Sequence, residues 1–383
     1  MHSLTTVLLF LRGSIAWKLP HSAFVNFESP HGNQIPISLT DDTELGTFGA
    51  SSFAGLRTFA NLPFIDCFSD QNTRDHKYDI AVFGAPHDTV STPILTPREV
   101  QLRQPLVDQV HVLAHQLFGR VARGKAPGNG AWATVVDCGD AKLTWLDNKV
   151  SLKRLDKAHT AISGRHAANS SVSSTPRILT LGGDHTTTLS ALRSTYQRWG
   201  PVSVIHFDSH IGGGISDYAR GLNHGTFLHI AHEEHLILNN SIHAGIRAPL
   251  IRRKGDLRND VRCGFEIITA RDLDKLGANG VISRIKERVG GSKVYISVDI
   301  DVLDPAYAPG TAEPGGWSTR ELLTILDGLE GLSVVGADVV EVAPAYDNNG
   351  ETTVLAAAEV AYSLVDLMVL TPVQSKADLE KDS

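Results

Sequence analysis

The chain has 383 residues, of which 42% are hydrophobic and 20% are charged, so it is long and apolar enough to bury one large core. A formal net charge of -7 and a pI near 6.2 leave no basic surplus, which excludes nucleic acid as an expected partner. The three cysteines, Cys67, Cys138 and Cys263, are widely spaced and form no CxxC pair, and we interpret them as small buried hydrophobic residues.

The first residues carry a candidate targeting signal. Leu4 to Leu11 form an apolar run that is too short to span a bilayer but long enough for the hydrophobic region of a signal peptide. Ser14-Ile15-Ala16 offers a small-x-small cleavage site, although no Lys or Arg precedes the run. A signal peptide over residues 1–20 predicts a secretory or extracellular protein, with sequons at Asn169 and Asn239 as candidate glycan sites. Without it, the protein is expected to be cytoplasmic.

Beyond this segment we expect three regions: an N-terminal extension over residues 21–77, one large domain over 78–371 and a flexible C-terminal tail over 372–383. Within the large domain, apolar β-branched runs alternate with longer segments of helical periodicity. The predicted strands are Tyr78 to Gly84, Ala133 to Val136, Arg177 to Leu181, Val202 to Phe207, Ile242 to Ile246, Phe265 to Thr269, Lys293 to Val298 and Leu332 to Val342. Predicted helices include Leu155 to Asn169, Thr188 to Trp199, Ser318 to Leu329 and Thr352 to Met368.

The strands indicate the fold class. Runs such as Val202-Ser203-Val204-Ile205 are continuously apolar rather than alternating, which is typical of strands covered on both faces in a parallel sheet. We therefore predict an α/β fold with three α/β/α layers and a mainly parallel central sheet. Ligands of such sheets bind beyond the carboxyl ends of the strands, so polar residues that follow an apolar run are the candidates for function.

Three strand ends carry such residues, in the segments Leu181-Gly182-Gly183-Asp184-His185-Thr186, His206-Phe207-Asp208-Ser209-His210 and Ser297-Val298-Asp299-Ile300-Asp301-Val302-Leu303-Asp304-Pro305. Asp208 and His210 are two residues apart and project from one face of an extended chain, as do Asp299 and Asp301. Each residue alone could cap a helix or hold a loop. Paired carboxylates that end an apolar strand, however, are costly to bury unless a cation neutralises them.

The combined donor set predicts the metal. Three carboxylates and two imidazoles with no thiolate suit manganese better than a cysteine-rich structural zinc site. The five predicted ligands are His185, Asp208, His210, Asp299 and Asp301.

These three segments, in this order and spacing, resemble the three signatures of the ureohydrolases, the family of arginases and agmatinases. The likeness extends from about Tyr78 to Leu370. His243-Ala244-Gly245-Ile246-Arg247 and the stretch from Val340 to Asp347 look more like agmatinases and guanidinobutyrases than arginases. The resemblance implies an arginase-like fold and hydrolysis of a small guanidino compound to urea and an amine. It also implies a homo-oligomer without a membrane span.

The resemblance assigns roles residue by residue. Asp208 and Asp299 are expected to bridge two Mn²⁺ ions, with His185, His210 and Asp301 binding on one side or the other. His224, in Asn223-His224-Gly225-Thr226, matches the family histidine that shuttles a proton to the leaving amine. Glu341 matches the carboxylate that receives the guanidinium group. A histidine at a helix start and an ordinary salt-bridged glutamate are the respective alternatives.

The sequence departs from the family pattern at three places. After His210 the family has a further aspartate ligand, whereas here Ile211 is followed by Gly212-Gly213-Gly214. The family pattern resumes at Gly214-Ile215-Ser216-Asp217-Tyr218, as if a short loop were deleted. Val90 to Val110 and the loop around Thr311 also differ. One ion is therefore expected to bind more weakly unless Asp217 or water replaces the ligand.

Two other functions are alternatives, of which the first follows from these departures. The first is a degenerate ureohydrolase with an impaired metal site that acts as a binding or scaffold subunit. The second, a metal deacetylase of similar architecture, is disfavoured because Glu341 is suited to a cationic substrate.

Overall fold

The central element of the fold is an eight-stranded sheet in which all paired strands run parallel. The computed structural model describes residues 58–87, 132–144, 147–211, 221–250 and 252–381. The strands are β1 Ile80–Ala85, β2 Val135–Asp140, β3 Arg177–Gly182, β4 Ser203–Phe207, β5 Ser241–Ile246, β6 Phe265–Thr269, β7 Lys293–Asp299 and β8 Ser333–Val340. Their order across the sheet is β2-β1-β3-β8-β7-β4-β5-β6.

Helices connect the strands. In the described part of the chain they are α1 Asp70–Asp75, α2 Asn148–Ser163, α3 Thr187–Trp199, α4 Phe227–Glu233, α5 Arg253–Arg262, α6 Asp272–Val289, α7 Thr319–Gly328, α8 Thr352–Leu370 and α9 Lys376–Leu379. Short 3₁₀ turns lie at Phe59–Asn61, Ile300–Val302 and Pro344–Tyr346.

Both faces of the sheet are covered, as the continuous apolar runs predict. On one face, α6, α7 and α8 pack against residues such as Ile205, Phe207 and Val298. On the other, apolar residues of α2, α3 and α4 pack against the alternate positions, for example Val204 and Phe83. The predicted three-layer α/β/α class is confirmed.

Helix α8, Thr352–Leu370, is long and apolar enough to cross a membrane, but 83% of its apolar window is buried inside the protein. It packs on β8, β3 and α7. We interpret this helix as a core element, because its hydrophobic surface already has a protein partner.

All eight predicted strands are present, but some boundaries differ. The helix predicted from Leu155 begins at Asn148, because the Asp147 carboxylate caps it by accepting hydrogen bonds from the amides of Lys149 and Val150. Strand β8 ends at Val340 rather than at Val342. The next residue, Glu341, has a φ of 58°, which no β-strand residue adopts.

One other expectation needs correction. Cys67 and Cys138 are not separate buried residues: they form a disulfide with a Cα–Cα distance of 5.3 Å. Only Cys263 is a free buried cysteine in the described chain, as expected. The pairing could not be predicted from the sequence, because the two cysteines are 71 residues apart. Only in the folded chain does β2 place Cys138 beside the segment that precedes β1.

The tail predicted to be flexible contains α9, and Asp378 accepts a hydrogen bond from the amide of Ser174 at 2.9 Å. This contact anchors the segment as far as it is described. The candidate signal peptide, most of the N-terminal extension, Val90 to Val110 and Gly212 lie outside the described residues.

Candidate active site

The predicted functional residues follow four strands that are neighbours in the centre of the sheet, β3-β8-β7-β4. His185 follows β3, Glu341 follows β8, Asp301 follows β7 and His210 follows β4. The strand order brings residues that are more than 150 positions apart in the sequence to one edge of the sheet. This order could not be predicted from the sequence.

Close approach of the loops after β1 and β3 shapes this edge. The Asp184 amide donates a hydrogen bond to the His87 carbonyl at 2.8 Å. A Cβ on Gly183 would lie 1.8 Å from that same carbonyl oxygen, so a glycine is required there. This packing gives a physical reason for the second glycine of the Gly-Gly-Asp-His motif.

Three predicted ligands form an inner group, which we define as His185, Asp208 and Asp299. His185 Nδ1 lies 3.2 Å from Asp208 Oδ2 and 3.2 Å from Asp299 Oδ2, and all three side chains are buried. The other ring nitrogen, Nε2, lies 2.8 Å from the hydroxyl of Ser297. His185 therefore presents Nδ1 to the carboxylates and uses Nε2 to fix its orientation.

The remaining two predicted ligands belong to an outer group, which we define as His210, Asp301 and Glu313. His210 Nδ1 lies 3.0 Å from Asp301 Oδ2 and 3.3 Å from Asp208 Oδ1, while its Nε2 is 3.6 Å from Glu313 Oε1. The His210 side chain is 51% exposed. Since Asp208 directs one oxygen to each histidine, it has the arrangement that a carboxylate bridging two cations needs.

The electrostatics of the inner group favour a cation. Burial raises the pKa of Asp299 well above its usual value, and the negative charges of Asp301 and Asp208 act in the same direction. Burial lowers the pKa of His185, but its contacts with Asp208 and Asp299 outweigh this effect and raise that pKa well above the usual value. A site that attracts protons this strongly is one in which divalent cations would relieve the repulsion among carboxylates.

A buried hydrogen-bond network extends from Ser297, the partner of His185 Nε2. The Ser297 hydroxyl donates to Asp338 Oδ1 at 2.6 Å. The other Asp338 oxygen accepts hydrogen bonds from Thr188 Oγ1 at 2.7 Å and from the Tyr295 hydroxyl at 2.8 Å. Such partners hold a ligand ring in one orientation.

Glu341 lies beside the inner group. Its Oε1 accepts a hydrogen bond from the backbone amide of His185 at 2.7 Å, and its own amide donates to the Gly183 carbonyl at 2.9 Å. Burial raises the pKa of Glu341 to about 8, and the charge of Asp184 contributes to the rise. A cationic group next to this carboxylate would favour its ionised form.

His224 lies in the turn before α4 and is exposed. No hydrogen bond joins it to the metal-ligand candidates in the described part of the chain. Its proposed role as a proton shuttle therefore stays a prediction.

Two residues of the site were missed or left without a role by sequence reasoning. His206, inside β4, lies 3.0 Å through Nε2 from Asp208 Oδ2, and its spacing of two from Asp208 was the available signal. Arg247 donates hydrogen bonds from its guanidinium group to the carbonyls of Asp301 and Glu313, both at 2.6 Å. It therefore joins two parts of the connection between β7 and α7, which carries Asp301 and Glu313 of the outer group.

Comparison with known proteins identifies the family, because residues 78–366 match the model of the arginase family. The chain belongs to the arginase family. A relative from Schizosaccharomyces pombe, named "Putative agmatinase 1", is 42% identical over 392 residues, covering 96% of this chain and 95% of that protein. Proclavaminate amidinohydrolase from Streptomyces clavuligerus is 34% identical over 79% of this chain and 90% of its own length.

Solved structures of arginase-family proteins agree with the fold. The structure of the Streptomyces clavuligerus proclavaminate amidinohydrolase matches with a TM-score of 0.67 at 31% identity, covering 83% of this chain and 98% of that one. A hypothetical agmatinase from Burkholderia thailandensis matches with a TM-score of 0.68, also at 31% identity, over 83% and 92% of the two chains. This arginase-family protein is therefore a hydrolase of the kind that acts on guanidino compounds.

Proposed function

We propose that the protein hydrolyses an agmatine-like guanidino compound to urea and an amine with two Mn²⁺ ions. The observation that carries the proposal is the clustering of three carboxylates and two imidazoles, in which Asp208 contacts both histidines, next to the carboxylate of Glu341. Oxygen and imidazole donors without thiolates suit Mn²⁺. The relatives named agmatinase support the substrate class.

Each group of residues has a separate role in this proposal. The inner group and the outer group would each hold one ion, and the ions would supply the activation of a water molecule near neutral pH. Glu341 would bind the guanidinium group and orient its carbon towards the ligand cluster. His224 would give a proton to the departing nitrogen. Overall, one water is consumed, the bond between carbon and the substituted nitrogen breaks, and urea and the amine leave.

A parallel assay tests the proposal. Purified protein loaded with Mn²⁺ is given agmatine, 4-guanidinobutyrate and arginine, and urea release is measured for each. We expect urea from at least one of the first two at a higher kcat/KM than from arginine. If a folded, metal-loaded protein releases no urea from any of them, the degenerate scaffold function replaces this proposal.

We also propose that the protein is a homo-oligomer that matures in an oxidising compartment. Support for the compartment comes from the Cys67–Cys138 disulfide and from the apolar run at Leu4 to Leu11. Mass spectrometry of non-reduced protein from its native host is expected to find the peptide that joins both cysteines. Two free thiols at these positions would contradict the compartment, and a monomeric mass in solution would contradict the oligomer.

A further inference from the structure

His206 is a buried imidazole that the proposed function leaves without a role. Its ring is completely buried in β4 and stacks on His185 with 4.8 Å between the ring centroids. Nε2 points towards the inner group, where Asp208 Oδ2 lies 3.0 Å away. Together with His185 and Asp208 it forms a cluster whose donor atoms lie within 4.8 Å of one another.

The Nε2 atom forms no hydrogen bond in the described part of the chain, although Asp208 Oδ2 lies 3.0 Å away. An unpartnered ring nitrogen in a buried position is costly. Donor atoms that each lie about 2.1 Å from one ion are themselves roughly 3 Å apart. The spacing of His206 Nε2 and Asp208 Oδ2 is therefore that of two neighbouring ligands of one cation.

The opposite side of the His206 ring explains which nitrogen carries the proton. His206 Nδ1 lies 2.8 Å from His243 Nδ1, and His243 Nε2 lies 3.0 Å from Asp260 Oδ1. His206, His243 and Asp260 are almost completely buried, so this row of contacts is shielded from water. Between the two Nδ1 atoms there is room for a single proton.

The contact between His243 and Asp260 then indicates which ring nitrogen of each histidine carries a proton. The carboxyl group of Asp260 faces His243 Nε2, so we place the His243 proton on Nε2, where it donates to Asp260 and leaves Nδ1 bare. That bare nitrogen accepts the Nδ1 proton of His206. A neutral His206 is left with a lone pair on Nε2, directed at the inner group, and this is the tautomer that binds a metal ion.

We propose that His206 Nε2 is a further protein ligand of the cation held by His185, Asp208 and Asp299, and that His243 and Asp260 are positioning residues that fix its tautomer. The inference rests on the proposed metal centre. It supplies a nitrogen ligand in a centre that lacks the aspartate expected at Gly212. The competing arrangement places the proton on Asp260 and makes His206 Nε2–H a donor to Asp208.

A crystal structure of the Mn²⁺-loaded protein separates the two arrangements. We expect Nε2 of His206 within about 2.3 Å of the ion bound by His185. If two ions are bound and Nε2 lies more than about 3 Å from either, His206 is a hydrogen-bond donor and this inference is overturned while the proposed function stands. A folded protein that takes up no Mn²⁺ overturns both.

Calorimetric titration with Mn²⁺ tests the same assignment in solution. The His206→Gln variant is expected to bind one of its two ions at least about 10-fold more weakly and the other unchanged. His166→Gln, a change at an exposed histidine, is the matched control and should retain both affinities. Two unchanged affinities in folded His206→Gln contradict the proposal, and if this variant fails to fold, the ion–Nε2 distance in the wild-type protein decides.

Discussion

The inner and outer groups of the site differ in how the protein holds them. His185, in the inner group, is fixed by the buried contacts to Ser297 and Asp338 and is stacked against Phe227 at 4.4 Å. His210, in the outer group, is half exposed and lies two residues before the segment 212–220, which is outside the described residues. The comparison indicates that an ion held by the inner group would depend on the core of the fold. An ion held by the outer group would depend on the segment after β4 and on the connection between β7 and α7, in which Arg247 joins the Asp301 and Glu313 carbonyls.

The largest effect is expected from Asp299→Ala, because Asp299 contacts His185 of the inner group and accepts a hydrogen bond from the amide of Asp301, which belongs to the outer group. We expect loss of tightly bound Mn²⁺ and a fall in kcat/KM of at least about 1,000-fold. Metal analysis and urea release measured on the same sample check this. Tightly bound Mn²⁺ in the variant would mean that the inner group has been assigned wrongly.

A smaller and selective effect is expected from His210→Asn. This change removes an imidazole from the outer group and leaves the buried contacts of His185 in place, so one ion should bind about 10- to 100-fold more weakly and the other unchanged. Equilibrium dialysis against Mn²⁺ resolves the two affinities. Equal weakening of both ions would show that the two groups act as a single unit.

The Glu341→Gln variant tests whether Glu341 binds the substrate or a metal ion. The amide keeps the size of the side chain but removes the charge that faces the guanidinium group, and a charged hydrogen bond contributes roughly 1.5–3 kcal/mol. The expected result is a rise in KM of about 10- to 100-fold with unchanged Mn²⁺ content. Loss of metal in this variant would show that Glu341 belongs to the ligand set instead.

The last predicted effect is on stability and concerns His159, a buried histidine outside both groups. Its Nε2 has no hydrogen-bond partner in the described chain, and burial lowers its pKa from 6.5 to about 3. Between these pKa values the unfolded state binds a proton that the folded state does not, so stability decreases as the pH falls below 6.5. At pH 5 this loss is about 2 kcal/mol.

Denaturant unfolding at pH 5 and pH 7.5 measures that loss. In His159→Leu the difference in unfolding free energy between the two pH values should be smaller by about 2 kcal/mol than in the wild-type protein. His166→Gln is a control with the same loss of an imidazole at an exposed position. An unchanged difference in His159→Leu would rule out this histidine as a source of acid sensitivity.

The sequence predicts the fold class, and it also names side chains that the structure brings close together, because both follow from local patterns. Continuous apolar runs indicate buried parallel strands, and a spacing of two places Asp208 and His210 on one side of the chain. The contribution of His206 was missed, since its partners His243 and Asp260 come from β5 and α5 and become visible only when the strands are in order. The Cys67–Cys138 pair was missed for the same reason.

Helix and strand ends were the least predictable features of the fold. The start of α2 depends on the cap at Asp147, and the end of β8 depends on the left-handed backbone of Glu341. Neither feature changes the apolar pattern from which the elements were predicted.

The number of Mn²⁺ ions bound per chain at saturation tests the central claim most directly. The geometry of the inner and outer groups predicts two ions of unequal affinity in the purified, folded protein. Binding of no ion, or of one ion that His210→Asn and His206→Gln leave unaffected, would contradict the account of a two-ion centre built on Asp208.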